Sequence, residues 1–275
     1  MPELPEVEVT RQRLQPVEGA TIQCLTLGKP LRWPLGCEPA DLVGCRIGAL
    51  LRRGKYLWMP LSRQGAPAGG LLWHLGMSGA LSWLVPPLPA GPHDHADLHT
   101  DRGLLRLTDP RRFGALVWGP AWEAPPVAGM LARLGPEPWD PTLTTARFHA
   151  ALQGRRVAIK PLLLSGTVVV GVGNIYASDA LFEAGIDPRT PAAHVGQAGA
   201  ARLLESVRRV LSEAIAAGGS SLKDFHGPDG ALGHYQRTAR VYGRAGEACS
   251  RCGGGIQRLV QGQRATYFCP GCQHP

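Results

Sequence analysis

Two cysteine pairs near the C-terminus, Cys249-x2-Cys252 and Cys269-x2-Cys272, constrain this chain more than any other feature. Within a pair the thiols are close enough to reach one ion, and sixteen residues separate the pairs, enough for a hairpin. Four soft thiolates at this spacing predict a tetrahedral zinc site with Cys249, Cys252, Cys269 and Cys272 as ligands. Four protein ligands fill the coordination sphere, which makes such a site structural. The tail around it, 234–275, is too short to build a sufficient core, so metal binding provides its folding energy. A redox-active pair is the competing reading. Arg258 and Arg264 lie between the pairs, where a β-hairpin would point them outward toward a phosphate or a minor groove.

That tail carries six arginines against one acid, Glu247, in a chain of formal net charge +8. A basic segment of this kind suits a polyanion such as nucleic acid, and equally a solvated face. Arginine is the default cation here, and only four lysines occur, Lys29, Lys55, Lys160 and Lys223. An amine can lose its proton and enter a narrow pocket where a guanidinium cannot, which singles out Lys55 and Lys160. Seven cysteines with four in a metal pattern argue against a disulfide framework and for a reducing cytoplasm. The N-terminus is acidic rather than basic and apolar, so no secretory signal is expected. The longest apolar run, 161–173, is too short and too glycine-broken to span a bilayer.

Residues 1–15 read as a short helix, with Pro5 in a first-turn position and Val9 and Leu14 toward a core. Runs rich in Leu, Val and Trp follow at 45–50, 56–61, 71–74, 80–85, 104–108 and 115–118, broken by Gly and Pro as in a β-sandwich or barrel. Residues 86–92 read as a proline-rich loop. After Gly135-Pro136-Glu137-Pro138 the period changes. Thr144 is placed to cap a helix over 145–153 and Asn174 another over 175–184, each ended by glycine. The clearest helix runs over 194–217, with Leu203, Leu204, Val207, Val210, Leu211, Ala214 and Ile215 on one face. These breaks predict domains at 1–134, 144–233 and 234–275, with a linker at 135–143.

Two further segments carry chemistry. Gly171-Val172-Gly173-Asn174 leads into a helix. Glycines admit a phosphate close to the backbone, and the helix N-terminus offers free N–H groups, although a plain turn is at least as good an account. At the other end, a small Pro2 allows removal of Met1 and leaves a secondary amine. A free α-amino group has a pKa near ~8, well below lysine, so much more of it is unprotonated at neutrality. Glu3 stands beside it to move a proton.

Six segments together resemble one family, in order and over the full length. They are Met-Pro-Glu-Leu-Pro-Glu-Val-Glu at the start, Arg53-Gly54-Lys55-Tyr56, His74-Leu75-Gly76-Met77-Ser78-Gly79, Asp109-Pro110-Arg111-Arg112-Phe113-Gly114, Gly171-Val172-Gly173-Asn174-Ile175-Tyr176-Ala177 and the four-cysteine finger. The chain resembles the formamidopyrimidine-DNA glycosylases. The related endonuclease VIII branch shares the Pro-Glu start and the finger but differs at Leu4 and over 74–79. The resemblance implies an α+β chain: an N-terminal β-sandwich with its leading helix, a helix–two-turns–helix domain and a C-terminal zinc finger, with DNA in the cleft between.

It also implies a bifunctional glycosylase and lyase acting on oxidised purines in damaged double-stranded DNA, with one structural zinc ion and a monomer as the default. The target base is flipped out of the stack. Met77, Arg111 and Phe113 then fill the void, two as apolar wedges and Arg111 as donor to the orphaned cytosine. Pro2 is the nucleophile, Glu3 the general acid/base and Glu6 its support near the helix start. Lys55 serves elimination and phosphate binding, and Arg264 the second elimination. Lys160, His93, Arg155 and Asn174 match DNA-contacting positions, as does His74, and Arg258 joins them on the finger; His95 is the alternative to His93. A loop at 218–235 covers the flipped base. The chain departs from the family's pattern at Ser165-Gly166, where an Asp followed by Gln or Asn is common. The rival reading is a non-catalytic zinc-finger nucleic-acid-binding protein, which only the Pro2/Glu3 terminus with Lys55 separates from the enzyme. A metallohydrolase on His93-x-His95 lacks a third ligand.

Overall fold

The computed structural model describes residues 2–220 and 233–275. They divide into two compact units, 2–132 with 218–220 and 233, and 133–217 with 234–275. The expected base-covering loop falls for the most part at 221–232, outside the described residues. None of the described helices is long and apolar enough to cross a membrane.

The first unit opens with helix α1 (Leu4–Arg13). Pro5 sits in the first turn, where its missing N–H has no partner to lose, and Arg11 and Arg13 occupy the last turn, at the negative end of the helix dipole. Strands β1 (Ile22–Leu27), β2 (Arg46–Ile47), β3 (Leu51–Arg53), β4 (Tyr56–Arg63), β5 (Ala66–His74), β6 (Ala80–Leu84), β7 (Asp94–Thr100), β8 (Leu104–Thr108) and β9 (Ala115–Gly119) follow. They pair into a four-stranded sheet ordered β1-β7-β8-β6 and a five-stranded one ordered β2-β4-β5-β9, with β3 also on β4. Strand alternation sends Leu57, Met59 and Leu61 of β4 inward with Leu71 and Trp73 of β5. They meet Ile22, Leu98, Leu105 and Leu107 of the other sheet, and Val7 and Leu14 close the same core from the α1 side. Trp58 and Leu72 point the opposite way and are covered by Val127 of helix α2 (Val127–Leu131).

Three departures from the sequence reading have physical causes. Strand β7 lies where no strand is expected, because its alternation is masked by charge. Asp97 stands directly opposite Arg106 on β8 and the two are buried as a bidentate pair, at 2.8 and 2.6 Å. The same guanidinium donates to the carbonyls of Leu88 and Pro89 and so pins the proline-rich loop. Strand β1 also escapes the apolar pattern, because most of its residues face solvent. The run at 45–50 is not one strand: Arg46–Ile47 pairs with β4, and Gly48 still donates to Pro60 O, but Pro60 has no N–H to return the bond and the ladder stops.

The second unit contains α3 (Thr145–Leu152), α4 (Ile159–Ser165), α5 (Asn174–Ala184), α6 (Gln197–Ala216) and the hairpin β10 (Gln257–Gln261) and β11 (Arg264–Phe268). Thr144 caps α3 as expected, accepting from Arg147 N. Helix α6 buries the predicted stripe from Leu203 to Ala214. The apolar run at 161–173 conceals α4, in which Pro161 stands in the first turn, where proline is tolerated. Ser165 and Gly166 end that helix. Gly166 takes a left-handed φ of 69°, and the Ser165 hydroxyl donates to Leu162 O.

One buried carboxylate organises the path into the zinc tail. Asp179 on α5 accepts from the backbone N–H groups of Arg240, Val241 and Tyr242 and from the Tyr235 hydroxyl, all at 3.0–3.1 Å. Burial raises its pKa, only partly offset by these four bonds. Removing the carboxylate leaves four donors without this acceptor, two of them buried and two partly buried. Asp179→Ala is therefore expected to lower unfolding stability by about 3 kcal/mol or more, read from the denaturant midpoint at unchanged slope.

Candidate functional site

Pro2 and Glu3 are buried ahead of α1. Glu3 and Glu6 cap the helix reciprocally: the Glu3 carboxylate accepts from Glu6 N, and Glu6 Oε2 accepts from Glu3 N at 2.8 Å. The other Glu6 oxygen accepts from Ser220 N at 2.7 Å. Thus Glu6 is more than a first-turn acid: it holds the residue after Pro2 and the start of the 218–235 segment with one carboxylate.

Lys55 lies at the tip of a two-residue hairpin between β3 and β4, where Gly54 takes a φ of 56°. Arg52 braces this turn, donating to Gly54 O at 3.1 Å and to Glu8 of α1 at 2.9 Å. Burial alone would raise the Glu8 carboxyl, but hydrogen bonds from Arg11 and Arg52 outweigh it and hold the pKa below the ordinary value. The lysine hairpin is thereby tied to the helix that follows Glu3. Glu8 and Arg52 are not singled out by the sequence; their spacing of 44 residues gives no local signal.

The expected void-filling residues stand on two adjacent crossovers between the sheets. Residues 75–79 join β5 to β6, and residues 109–114 join β8 to β9. The crossovers run side by side because His74 pairs with Ala115 and Ala80 with Thr108. Gly76 has φ 62°, and a Cβ there would lie 2.4 Å from the Phe113 carbonyl carbon, so backbone meets backbone. Met77 is half-buried and Phe113 is 43% exposed, with the Arg111 guanidinium 4.9 Å above its ring. That exposure of a large apolar side chain, stacked under a cation, is not core packing.

His74 stacks on Tyr56 at 4.6 Å between ring centroids. Its pKa is lowered to about 4, first by burial and then by the positive charges of Lys55 and Arg32. Gly76 N donates to its Nδ1 at 3.2 Å, so the neutral ring carries its proton on Nε2 and offers an uncharged donor. His93 is exposed, whereas His95 is 2% exposed. The first of the two is therefore the histidine within reach of a ligand.

In the second unit the structure corrects one expectation and shows what another candidate residue touches. Asn174 does not cap α5; Gly173 is the cap, and the Asn174 side chain turns to the hairpin, donating to Ala265 O at 2.9 Å. Lys160 is fully buried. Its ammonium donates to Asn174 Oδ1 at 2.6 Å, Thr266 Oγ1 at 2.8 Å and Ala265 O at 3.1 Å. An ammonium in that setting holds α4, α5 and β11 together. Arg155 is exposed at the turn after α3. Arg258 and Arg264 are both exposed, but strand alternation places them on opposite faces of the hairpin: Arg258 opposes Tyr267, and Arg264 opposes Gln261.

The four finger sulfurs all lie within 4.8 Å of one another, with Cys249–Cys272 at 3.8 Å and Cys252–Cys269 at 3.4 Å. A zinc ion with bonds of about 2.3 Å sets its sulfurs about 3.8 Å apart, so the cluster fits. These separations are far from the ~2.05 Å of a disulfide.

Comparison with known proteins gives a single answer. Family models match residues 1–116 (formamidopyrimidine-DNA glycosylase N-terminal domain), 134–226 (the H2TH domain of the same enzymes) and 246–275 (zinc finger found in FPG and IleRS). The chain belongs to the formamidopyrimidine-DNA glycosylase family. Formamidopyrimidine-DNA glycosylases of Acidovorax sp. strain JS42 and Albidiferax ferrireducens are 54% and 51% identical to it, each over 99% of both chains. The crystal structure of the Thermus thermophilus member superposes with a TM-score of 0.88 at 38% identity, covering all of both chains. A Lactococcus lactis member in complex with DNA containing Fapy-dG gives 0.90 at 32%, again over all of both chains.

Within this family the zinc tail is part of a common three-part plan, which removes the rival of a stand-alone zinc-finger binding protein. The tail holds one structural zinc ion on its four cysteines. Its apolar support is slight: Val241 and Ile256 with Phe182 of α5. Zinc chelation is accordingly expected to abolish amide-exchange protection across β10 and β11 while leaving β4 and β5 protected, as followed by hydrogen exchange with mass spectrometry.

Proposed function

We propose that this chain excises oxidised purines, 8-oxoguanine and ring-opened formamidopyrimidines, from double-stranded DNA and then cuts the strand, with the Pro2 nitrogen as nucleophile. The observation that carries this reading is the start of α1, where Glu3 and Glu6 are locked to one another directly after Pro2. Once Met1 is removed, the Pro2 nitrogen is a secondary amine beside the positive end of a helix, which favours its unprotonated form.

The nitrogen lone pair attacks C1′ of the flipped nucleotide, and the glycosidic electron pair leaves with the base, which takes up a proton. The sugar ring then opens. Its C1′–O4′ bond breaks to give an iminium, and Glu3 supplies the proton to O4′. The iminium acidifies the C2′ proton, whose loss expels the 3′ phosphate; a second proton loss expels the 5′ phosphate. Lys55 and Arg264 serve these eliminations by binding phosphate. Met77, Arg111 and Phe113 enter the space the base has left. His74, His93, Arg155, Asn174 and Arg258 contact the DNA, and Lys160 serves indirectly through Asn174 and the hairpin. In this scheme 1–134 performs the chemistry, while 144–233 and the zinc tail at 234–275 hold the duplex. A monomer in a reducing cytoplasm, with one free N-terminus and four reduced cysteines, is the setting the scheme requires.

Borohydride added during turnover is expected to trap the mature protein covalently on DNA bearing 8-oxoguanine. A chain that keeps Met1, whose Pro2 nitrogen is an amide, should trap nothing. Trapping by that longer chain would transfer the nucleophile's role to another amine, Lys55 first. Failure of the mature chain to trap would leave a DNA-binding protein without this chemistry.

The contacts also differ in their expected salt dependence. Lys55→Ala, Arg258→Ala and Arg264→Ala should each flatten the slope of log affinity against log salt by about 1, because each removes one phosphate contact and its counterion release. His74→Ala should weaken binding with the slope unchanged, since a ring with pKa about 4 is neutral at assay pH.

A further inference from the structure

We infer that Asp109 is the positioning residue that couples the two probe loops, so that Met77, Arg111 and Phe113 enter DNA as one unit; the inference rests on the excision reading proposed above. Asp109 is fully buried at the point where the two crossovers meet. Its Oδ1 accepts from the Ser78 hydroxyl at 2.7 Å, next to Met77 on one loop, and from Arg111 N at 3.3 Å on the other. Its Oδ2 accepts from Gly114 N at 2.7 Å, next to Phe113. The Asp109 backbone N–H in turn donates to His93 O at 2.8 Å. One side chain therefore bonds immediately beside all three probes, and its own main chain bonds to the exposed histidine.

The coupling has a physical reason. Both loops lie between strands rather than within them, and the Arg111–Phe113 stack stands out toward solvent, where core packing does not fix its height. A carboxylate acceptor in a dry setting makes strong hydrogen bonds to N–H and O–H donors, and leaving those donors unmet is costly. The Met77 loop cannot shift without breaking the Ser78 bond. The Arg111–Phe113 loop cannot shift without breaking the Gly114 bond. The close backbone approach at Gly76 then sets the separation at which both bonds form. Base excision requires the probes to replace a stacked base, whereas a preformed abasic site has no base to extrude. Loss of the coupling should therefore weigh on excision far more than on strand nicking.

The test compares Asp109→Ala, Asp109→Asn and Ser78→Ala with the parent in two single-turnover assays: excision of 8-oxoguanine opposite cytosine, and nicking at a preformed abasic site. Asp109→Ala should slow excision at least tenfold and nicking less than about threefold, and should reduce the preference for cytosine over adenine opposite the lesion. Asparagine keeps an acceptor for Gly114 N and can donate to the Ser78 hydroxyl, whose oxygen also accepts from Arg111 N at 3.3 Å and so replaces the acceptor lost at Oδ1, and Asp109→Asn should stay within about threefold of the parent. Equal loss in both assays, no loss in either, or an asparagine variant as slow as alanine overturns the coupling. A parent that neither excises nor nicks sinks the excision reading instead. The link itself is then read in the DNA-free protein. Arg111 N also donates to the Ser78 hydroxyl at 3.3 Å, so the reporter is Gly114, whose N–H bonds only to the far oxygen of Asp109: Ser78→Ala should speed its amide exchange, and unchanged exchange there overturns the coupling whatever the activity.

Discussion

A single ammonium decides where three segments of the second unit meet. Lys160 is fully buried, and an unpaired charge in such a place costs several kcal/mol. It is tolerated because Asn174 Oδ1, Thr266 Oγ1 and Ala265 O all accept from it. Each acceptor comes from a place the ammonium does not control: the first residue of α5, and two successive residues of β11 directly after Arg264. The arrangement forms completely or at a heavy penalty, so the hairpin has one register against the helices. Zinc, bound by the cysteines that flank the same hairpin, supplies the free energy that keeps the tail folded in that register.

The first unit uses the opposite charge for the same purpose. Glu6 holds Glu3 N and Ser220 N, Glu8 holds Arg52 under the Lys55 turn, and Asp109 holds both probe loops. Carboxylates that accept in this way, Glu6 and Asp109 from main-chain N–H groups and Glu8 from Arg52, give loops a definition that short turns lack on their own. The chemistry proposed for this chain stands on turns at the edges of two sheets, and these acids replace the missing strand pairing there.

Those features explain what is legible in the sequence. The finger, the amphipathic stripe of α6 and the apolar runs of β4 and β5 are local patterns, and pattern alone locates them. Strand β7 is hidden because a buried Asp97–Arg106 pair puts charge where alternation predicts apolar residues. Asn174 passes for a cap by residue type, but its amide is drawn away by Lys160, a contact fourteen residues distant. Lys160 itself stands out for its rarity, yet nothing local reveals that its amine points to Asn174 and to β11. The Pro2–Glu3 terminus acquires meaning only from the family resemblance; as chemistry alone it is an ordinary chain end followed by a helix. Glu8 with Arg52 and Ser78 with Asp109 are long-range pairs, and one sequence carries no sign of them.

The zinc hairpin has a geometric property that outlasts any assignment of its contacts. With Arg258 on one face of the ribbon and Arg264 on the other, a flat anionic sheet such as a lipid surface can meet only one of the two guanidiniums at a time. Both are engaged together only when negative charge rises on either side of the ribbon, as on the two walls of a furrow. On the excision reading proposed above, the tail would then select its polyanion by shape as well as by charge, with no base read.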